Sequence, residues 1–162
     1  MALDQGKLKD LYKALMSTGT ETVLEAAEQW ADMYAQYASD AQAFGLFPSE
    51  VGIEAAKTAM QTALIPLFTN VGAGTPADAA SSISSALSVF WLTPPLIFSL
   101  VPSITVSLTP GTPALNTALI TEFIVLLNDS DVKATTLTGI FDIFTKTVTV
   151  TNWQTLVTTT LI

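Results

Sequence analysis

The sequence predicts an α+β fold, in which an N-terminal helical pair (residues 1–48) precedes two pseudo-repeated helix-helix-strand units (49–108 and 109–162) that share a small sheet. Three observations predict it: apolar residues recur at helical spacing, capped helix starts recur about 54 residues apart, and threonine alternates with valine near the C-terminus. At 162 residues, the chain can bury a substantial apolar core.

The N-terminal helical pair follows from two amphipathic patterns. The first helix has apolar residues at helical spacing from Leu8 to Met16, and Gly19 provides its stop. The second begins near Thr22 and carries an apolar stripe on one side and a row of acidic residues on the other, which indicates one buried and one solvated face. The stripe consists of Val23, Ala27, Trp30, Tyr34, Tyr37, Ala41 and Phe44.

The first repeat unit follows a break at residues 45–48, where Ser49 is predicted to cap a third helix that ends near Pro66. Thr75 is then predicted to cap a fourth helix, with Pro76 in the first helical position and Asp78 two positions later. In the second unit, Thr112-Pro113 opens one helix and Ser130 or Asp131 caps the next.

The apolar positions of the two units match at constant offsets. Residues 62–65 and 68 recur at 117–120 and 123, an offset of 55. The following helix recurs at an offset of 54, and this regularity is typical of an internal duplication. Its matched positions are Ala80, Ile83, Leu87 and Phe90 in the first unit and Ala134, Leu137, Phe141 and Phe144 in the second.

A β-rich tail ends each unit. In the first unit it covers residues 96–108, interrupted by Pro102. In the second it covers residues 145–162, where 147–151 alternate threonine with valine and Asn152-Trp153 is predicted to turn the chain into a last strand over 155–162.

The composition argues against most enzyme chemistry. The chain has no histidine, cysteine or arginine, so it lacks the usual general base, thiolate chemistry and the bidentate phosphate clamp. We therefore expect no enzyme activity, no catalytic or metal-binding residues, no cofactor and no small-molecule substrate. The net charge of -8 predicts no direct contact with nucleic acid. The charged N-terminal segment does not resemble a signal peptide.

The middle of the chain is nearly uncharged, because Asp78 is the one charged residue between Lys57 and Glu122. One interpretation is a membrane- or lipid-associated protein that uses residues 83–108, a stretch long enough to span a bilayer. Three prolines interrupt that stretch, so the favoured interpretation is burial in the domain or against neighbouring subunits, with no membrane expected.

The predicted interface residues lie in the uncharged middle and at the C-terminus. Trp91 has two interpretations, core packing and interface anchor, of which core packing is favoured. The C-terminal strand has apolar residues on both faces and no charged residue, so it is covered either by this chain or by a neighbouring subunit through strand addition. The interface candidates are Trp91, Leu96, Ile97, Phe98, Trp153, Leu156, Val157, Leu161 and Ile162.

Three motifs permit chemistry but fall where the repeat requires a cap or loop. Ser130 and Lys133 form the Ser-x-x-Lys pattern of some hydrolases, without its companion motifs. Residues 128–131 resemble the start of a calcium loop but lack its glycine and distal glutamate, and residues 72–75 resemble a phosphate loop without its lysine. Helix capping and loop roles are favoured for all three.

The capped, Ala/Thr/Ser-rich helices, each leading to a tail such as Thr-Lys-Thr-Val-Thr-Val-Thr at 145–151, resemble small virion structural proteins of tailed bacteriophages. The resemblance covers mainly residues 54–151 and carries over no functional residue. It implies a non-enzymatic structural protein of a capsid, neck or tail, located in the virion after assembly in the host cytoplasm. Its implied partners are copies of itself or other virion proteins.

Overall fold

The computed structural model describes residues 3–70, 74–92, 104–107, 111–125, 130–152 and 157–162. Six helices and three strands lie within these ranges, which confirms the predicted α+β class. The helices are α1 (Gln5–Ser17), α2 (Val23–Ala38), α3 (Glu50–Thr69), α4 (Pro76–Leu92), α5 (Gly111–Ile124) and α6 (Ser130–Thr147). The strands are β1 (Ile104–Ser107), β2 (Thr149–Asn152) and β3 (Val157–Thr160).

The helices form a closed ring. Each packs against the next along the chain, and α6 packs back against α1. The aromatic stripe of α2 faces the centre of this ring, where Trp30 meets Phe141 of α6 and Tyr34 meets Phe90 of α4 in edge-on ring contacts. The buried cluster takes side chains from all six helices and from β2. A single interior therefore joins the helices to the sheet.

Side-chain caps start α2, α3 and α4 at the predicted places. Thr22 accepts a hydrogen bond from the Glu25 amide, and Ser49 accepts one from the Gly52 amide. Thr75 and Asp78 form a reciprocal capping box, because the Asp78 carboxylate accepts from the Thr75 amide while the Thr75 hydroxyl accepts from the Asp78 amide. The Thr75 amide and hydroxyl both donate to the Asp78 carboxylate, and these two bonds lower the pKa of Asp78.

The predicted helix ends were less accurate than the starts. α3 continues through Pro66 to Thr69, and Asn70 closes the helix end through its amide and side chain, which both donate to the Pro66 carbonyl. α2 ends at Ala38, so Ala41 and Phe44 are not helical. At its start, α6 already includes Ser130.

The sheet has the order β1-β2-β3, and both pairings are antiparallel. β2 follows α6 directly, because α6 extends to Thr147 and includes residues that the alternation assigned to a strand. The alternation is confirmed from Val148 onward: Val148 and Val150 are fully buried, whereas Thr149 and Thr151 are half-buried.

A close helix contact lies beside the sheet, where the first residue of α5 meets the end of α6. A Cβ at Gly111 would come within 2.5 Å of the Thr147 Oγ1, so any larger residue at position 111 would displace this hydroxyl. No helix in the described part of the chain is both long enough and apolar enough to cross a bilayer.

Candidate functional site: the C-terminal face

The C-terminal residues are held between two segments of the same chain. The Leu161 amide donates to the Val148 carbonyl at 3.2 Å, which extends the β2–β3 pairing. On the other side, Gln42 and Ile162 exchange two backbone hydrogen bonds at 3.1 and 3.3 Å. The C-terminus therefore pairs within the chain on both sides at this point, and the segment that follows α2 lies beside β3.

That segment is a tight hairpin in which Ala43 and Leu46 exchange backbone hydrogen bonds of 3.0 and 2.9 Å. Its two central residues, Phe44 and Gly45, have φ angles of 54° and 75°. Glycine adopts such angles readily, but a bulky side chain there is unusual and strained, at a cost of about 1–3 kcal/mol. An exposed phenylalanine is thus held in an unfavourable backbone conformation at a loop tip.

We call the hairpin and its flank (residues 42–48), together with β2 and residues 157–162, the C-terminal face. Four of its apolar side chains are 37–57% exposed: Phe44, Phe47, Val157 and Ile162. No charged residue occurs in 42–48 or after Lys146, although the chain carries a net charge of -8. A partly apolar, uncharged surface of this kind is typical of protein interfaces.

A buried chain of hydrogen bonds ties α2 to α4 and α6 and so positions the face. The Trp91 indole donates to the Tyr34 hydroxyl at 2.8 Å, and the Tyr34 and Thr145 oxygens lie 2.7 Å apart. Because the Thr145 hydroxyl donates to the Phe141 carbonyl at 2.8 Å, Tyr34 is the donor to Thr145. Within this network, the Trp91 indole and the hydroxyls of Tyr34 and Thr145 each have a partner.

A second buried hydrogen bond joins the last turn of α2 to the C-terminal half of α6. The Tyr37 hydroxyl donates to Asp142 Oδ1 at 2.5 Å, and Lys146 donates to Asp142 Oδ2 at 2.8 Å. Burial, with the Asp142 carboxylate second, raises the pKa of Tyr37 well above its ordinary value. Since α2 leads to the hairpin and α6 leads to β2, these bonds fix the two halves of the face relative to each other.

The predicted interface residues differ in how far their side chains are exposed. Val157 and Ile162 are exposed, but Leu161 is only 1% exposed and belongs to the core. Trp91 has no exposed surface, because it packs edge-on against Tyr34 and Phe90. It acts as a core residue of the folded chain, which was the favoured interpretation. Leu96, Ile97, Phe98, Trp153 and Leu156 lie outside the described residues.

Sequence patterns did not identify Phe44 or Phe47 as exposed. Phe44 continued the helical spacing of the α2 stripe, and that spacing placed it in the core. The Gly45 and Pro48 that surround these residues were the available sign of a turn.

Ser130 and Lys133 line a cleft of about 430 Å³ between α1 and α6, together with Tyr12 and Met16. Among the described residues, no hydrogen bond joins Ser130 to Lys133. The Asp131 carboxylate instead forms ion pairs with two lysines of α1, Lys13 and Lys9, the latter at 2.8 Å. These ammonium groups lower the pKa of Asp131 to about 2. This tie between helices is fully present above pH 4 and is lost as the pH falls toward 2.

In the described ranges, no group of three histidine, cysteine, aspartate or glutamate side chains is placed to hold a metal ion. Residues 128–129 and 72–73 of the calcium-like and glycine-rich segments lie outside those ranges. Comparisons with protein-family models, with curated protein sequences and with solved structures return no match to this chain.

The strain at the hairpin predicts the effect of replacing Phe44 by glycine. We expect Phe44→Gly to be more stable than Phe44→Ala by about 1 kcal/mol, because both variants remove the ring, which is only 37% exposed, but only glycine adopts the φ of 54° without strain. Gly45→Ala is the matched control and is expected to lower the stability by about 1 kcal/mol. Urea denaturation measures all three variants, and a Phe44→Gly variant that is no more stable than Phe44→Ala would contradict strain at this residue.

Proposed function

We propose that this chain is a non-enzymatic structural protein that works by assembly with other protein subunits through its C-terminal face. The observation that carries the proposal is the exposure of Phe44, Phe47, Val157 and Ile162 on a surface without charge, in a chain of net charge -8. Such a surface gains free energy when a partner covers it, whereas the acidic remainder of the molecule repels like-charged neighbours.

The setting we propose is the capsid, neck or tail of a tailed bacteriophage. The resemblance of residues 54–151 to virion structural proteins supports this setting, and the partners would be copies of the chain or other virion proteins. The rigid attachment of the face to the helical ring, through Tyr34, Tyr37 and Asp142, suits a component that holds its neighbours in place.

Site-specific cross-linking tests the proposal. A photo-activatable benzophenone residue replaces Phe47 in the organism that encodes the chain, and mass spectrometry identifies the products after irradiation. Met16 is the matched control, since it is 58% exposed, similar to the 53% of Phe47, but follows the Lys13 that pairs with the opposite end of α6. We expect products with further copies of the chain or with virion proteins from position 47 and none from position 16.

Two outcomes would contradict the proposal. If neither position yields a protein product, the C-terminal face has no partner. If both positions yield lipid adducts, the membrane-associated alternative is favoured.

We further propose that residues 49–108 and 109–162 arose by duplication. Burial of equivalent positions supports this: Leu64 and Leu119 are both fully buried, and the exposed Thr62 and Thr117 each donate to the carbonyl four residues earlier. The matched residues of α4 and α6 are likewise all buried, namely Ala80, Ile83, Leu87, Phe90, Ala134, Leu137, Phe141 and Phe144.

Equivalent environments predict equivalent mutational costs. We expect Leu64→Ala and Leu119→Ala each to lower the free energy of unfolding by about 2–5 kcal/mol, and by similar amounts, since both remove a fully buried side chain from corresponding helices. Urea denaturation of both variants measures the difference. Costs that differ by more than about 2 kcal/mol would count against matched environments.

A further inference from the structure

We propose that the open edge of β3 pairs, in antiparallel fashion, with the same edge of a second copy of this chain. This inference rests on the proposed assembly function and names its partner. The pairing would use the backbone groups of Thr158 and Thr160 and would continue the sheet β1-β2-β3 across a two-fold axis into the second copy.

The hydrogen-bond register shows which backbone groups point outward. Leu161 donates to its register partner Val148, so alternate pairs along the strand, including Thr159 with Val150, face β2. Thr158, Thr160 and Ile162 therefore direct their amide and carbonyl groups to the other side. The bonds of Ile162 are consistent with this assignment, because its outward amide and carbonyl are the groups that bond to Gln42.

The outward groups of Thr158 and Thr160 are open in the part of the chain that the structure describes. The Thr160 carbonyl accepts only the neighbouring Thr159 hydroxyl, at 3.3 Å. The side chains of Thr158 and Thr160 are exposed and uncharged. An edge with free backbone groups and no charged side chain is a template for strand addition.

The strained hairpin explains why this edge is open. Gln42 pairs with Ile162, and an extended continuation would place Phe44 opposite Thr160. Instead the chain turns back at Phe44 and Gly45, whose positive φ angles end the pairing after one position. Backbone strain that is retained in a folded protein is often found at functional sites, and here it leaves the edge of β3 uncovered.

Charge favours a second copy as the occupant. The chain carries a net charge of -8, so most approaches of two copies are repulsive. The C-terminal face is uncharged, and two copies can meet there at the least electrostatic cost. A two-fold axis at Thr159 would also satisfy both outward threonines of each copy, because Thr158 of one copy would pair with Thr160 of the other. The pairing would end at these positions, since Gln42 of the same chain already bonds to Ile162 on that edge.

Sedimentation equilibrium of the full chain tests this pairing, with Thr158→Pro as the main variant. Proline removes an outward amide and the exposed hydroxyl contact with Thr151 but leaves the backbone bonds to β2 intact, so we expect nearly the native melting temperature and at least a tenfold loss in dimer affinity. Thr159→Pro is the matched control, because it removes an amide that faces β2 and should lower the melting temperature. The double variant Thr158→Glu/Thr160→Lys should dimerise more tightly than the native chain, in a salt-sensitive manner.

Three results would overturn the inference: a native chain that stays monomeric at the highest concentration reached, a Thr158→Pro variant that dimerises like the native chain, or equal loss of melting temperature in Thr158→Pro and Thr159→Pro. Failure of the inference is distinguishable from failure of the proposed function. A monomeric chain that still cross-links through Phe47 to another virion protein removes the self-pairing and keeps the assembly function.

Discussion

Replacement of Trp91 by alanine is expected to lower the free energy of unfolding by about 3–5 kcal/mol, the range observed for fully buried large aromatic side chains. Trp91 is 0% exposed, contacts the rings of Tyr34 and Phe90 and donates to the Tyr34 hydroxyl. Alanine would leave a cavity at the centre of the helical ring and a buried hydroxyl with one partner fewer. Chemical denaturation monitored by far-ultraviolet circular dichroism measures the loss.

The adjacent Leu92 is the matched control for Trp91. It ends the same helix but is 54% exposed, so Leu92→Ala is expected to change the stability by less than about 0.5 kcal/mol. Trp91→Phe should cost less than Trp91→Ala, because it keeps most of the ring contacts. If Trp91→Ala left the stability unchanged, the core role of Trp91 would be wrong and the interface interpretation would return.

Removal of the Asp142 carboxylate is expected to lower the free energy of unfolding by about 3 kcal/mol. Asp142→Ala leaves the buried Tyr37 hydroxyl without its acceptor, which costs about 1–3 kcal/mol, and removes the ion pair with the 43% exposed Lys146, which contributes at most about 1 kcal/mol. A double-mutant cycle with Tyr37→Phe isolates the bond, and we expect a coupling of about 1–3 kcal/mol between the two positions.

The control for Asp142 is Asp32→Asn, which breaks the more exposed contact of Asp32 with Lys57. A surface ion pair contributes at most about 1 kcal/mol, so this variant should remain close to the native stability. Equal losses for the two aspartates, or additive effects of Tyr37→Phe and Asp142→Ala, would contradict the buried link.

The raised pKa of Tyr37 gives the same link a pH dependence. The folded chain holds this hydroxyl protonated, whereas in the unfolded chain it ionises near pH 10.0. Its contribution is therefore fully present below pH 10 and is lost as the pH rises from there toward the folded pKa. Tyr37→Phe should flatten the alkaline loss of stability, which a series of denaturation curves from pH 8 to 12 would measure.

The helix starts could be predicted because their signals are local. Thr22, Ser49 and Thr75 bond to amides three residues away, so the residues that decide the cap lie within one turn. The alternation around Val148 and Val150 is likewise local, since its period of two places both side chains on the buried face.

The helix ends depend on contacts that are distant in the sequence. α2 stops at Ala38 although its apolar spacing continues to Phe44, because the following residues pair with Ile162, about 120 positions away. α6 includes Thr145 and Thr147 of the predicted strand, and Thr145 is held against α2 by its buried hydrogen bond with Tyr34, 111 positions away. Periodicity alone does not contain these partners.

The candidate site could be predicted only in part, because it also depends on contacts that are distant in the sequence. The uncharged C-terminal strand was visible in the sequence, and Val157 and Ile162 are exposed as an interface requires. Leu161 is buried because Val148 and the hairpin enclose it, a contact that depends on the register of β2 with β3. The open backbone of Thr158 and Thr160 could be located only once that register was known.

The central claim is that the C-terminal face is covered when the chain assembles, and amide hydrogen exchange tests it most directly. In the isolated chain, the outward amides of Thr158 and Thr160 should exchange rapidly, because no described residue accepts from them. In the assembled state, we predict that both amides slow by at least tenfold, while the Thr159 amide, which already faces β2, changes little. Unchanged exchange across the whole C-terminal face, together with new protection outside it, would contradict the claim.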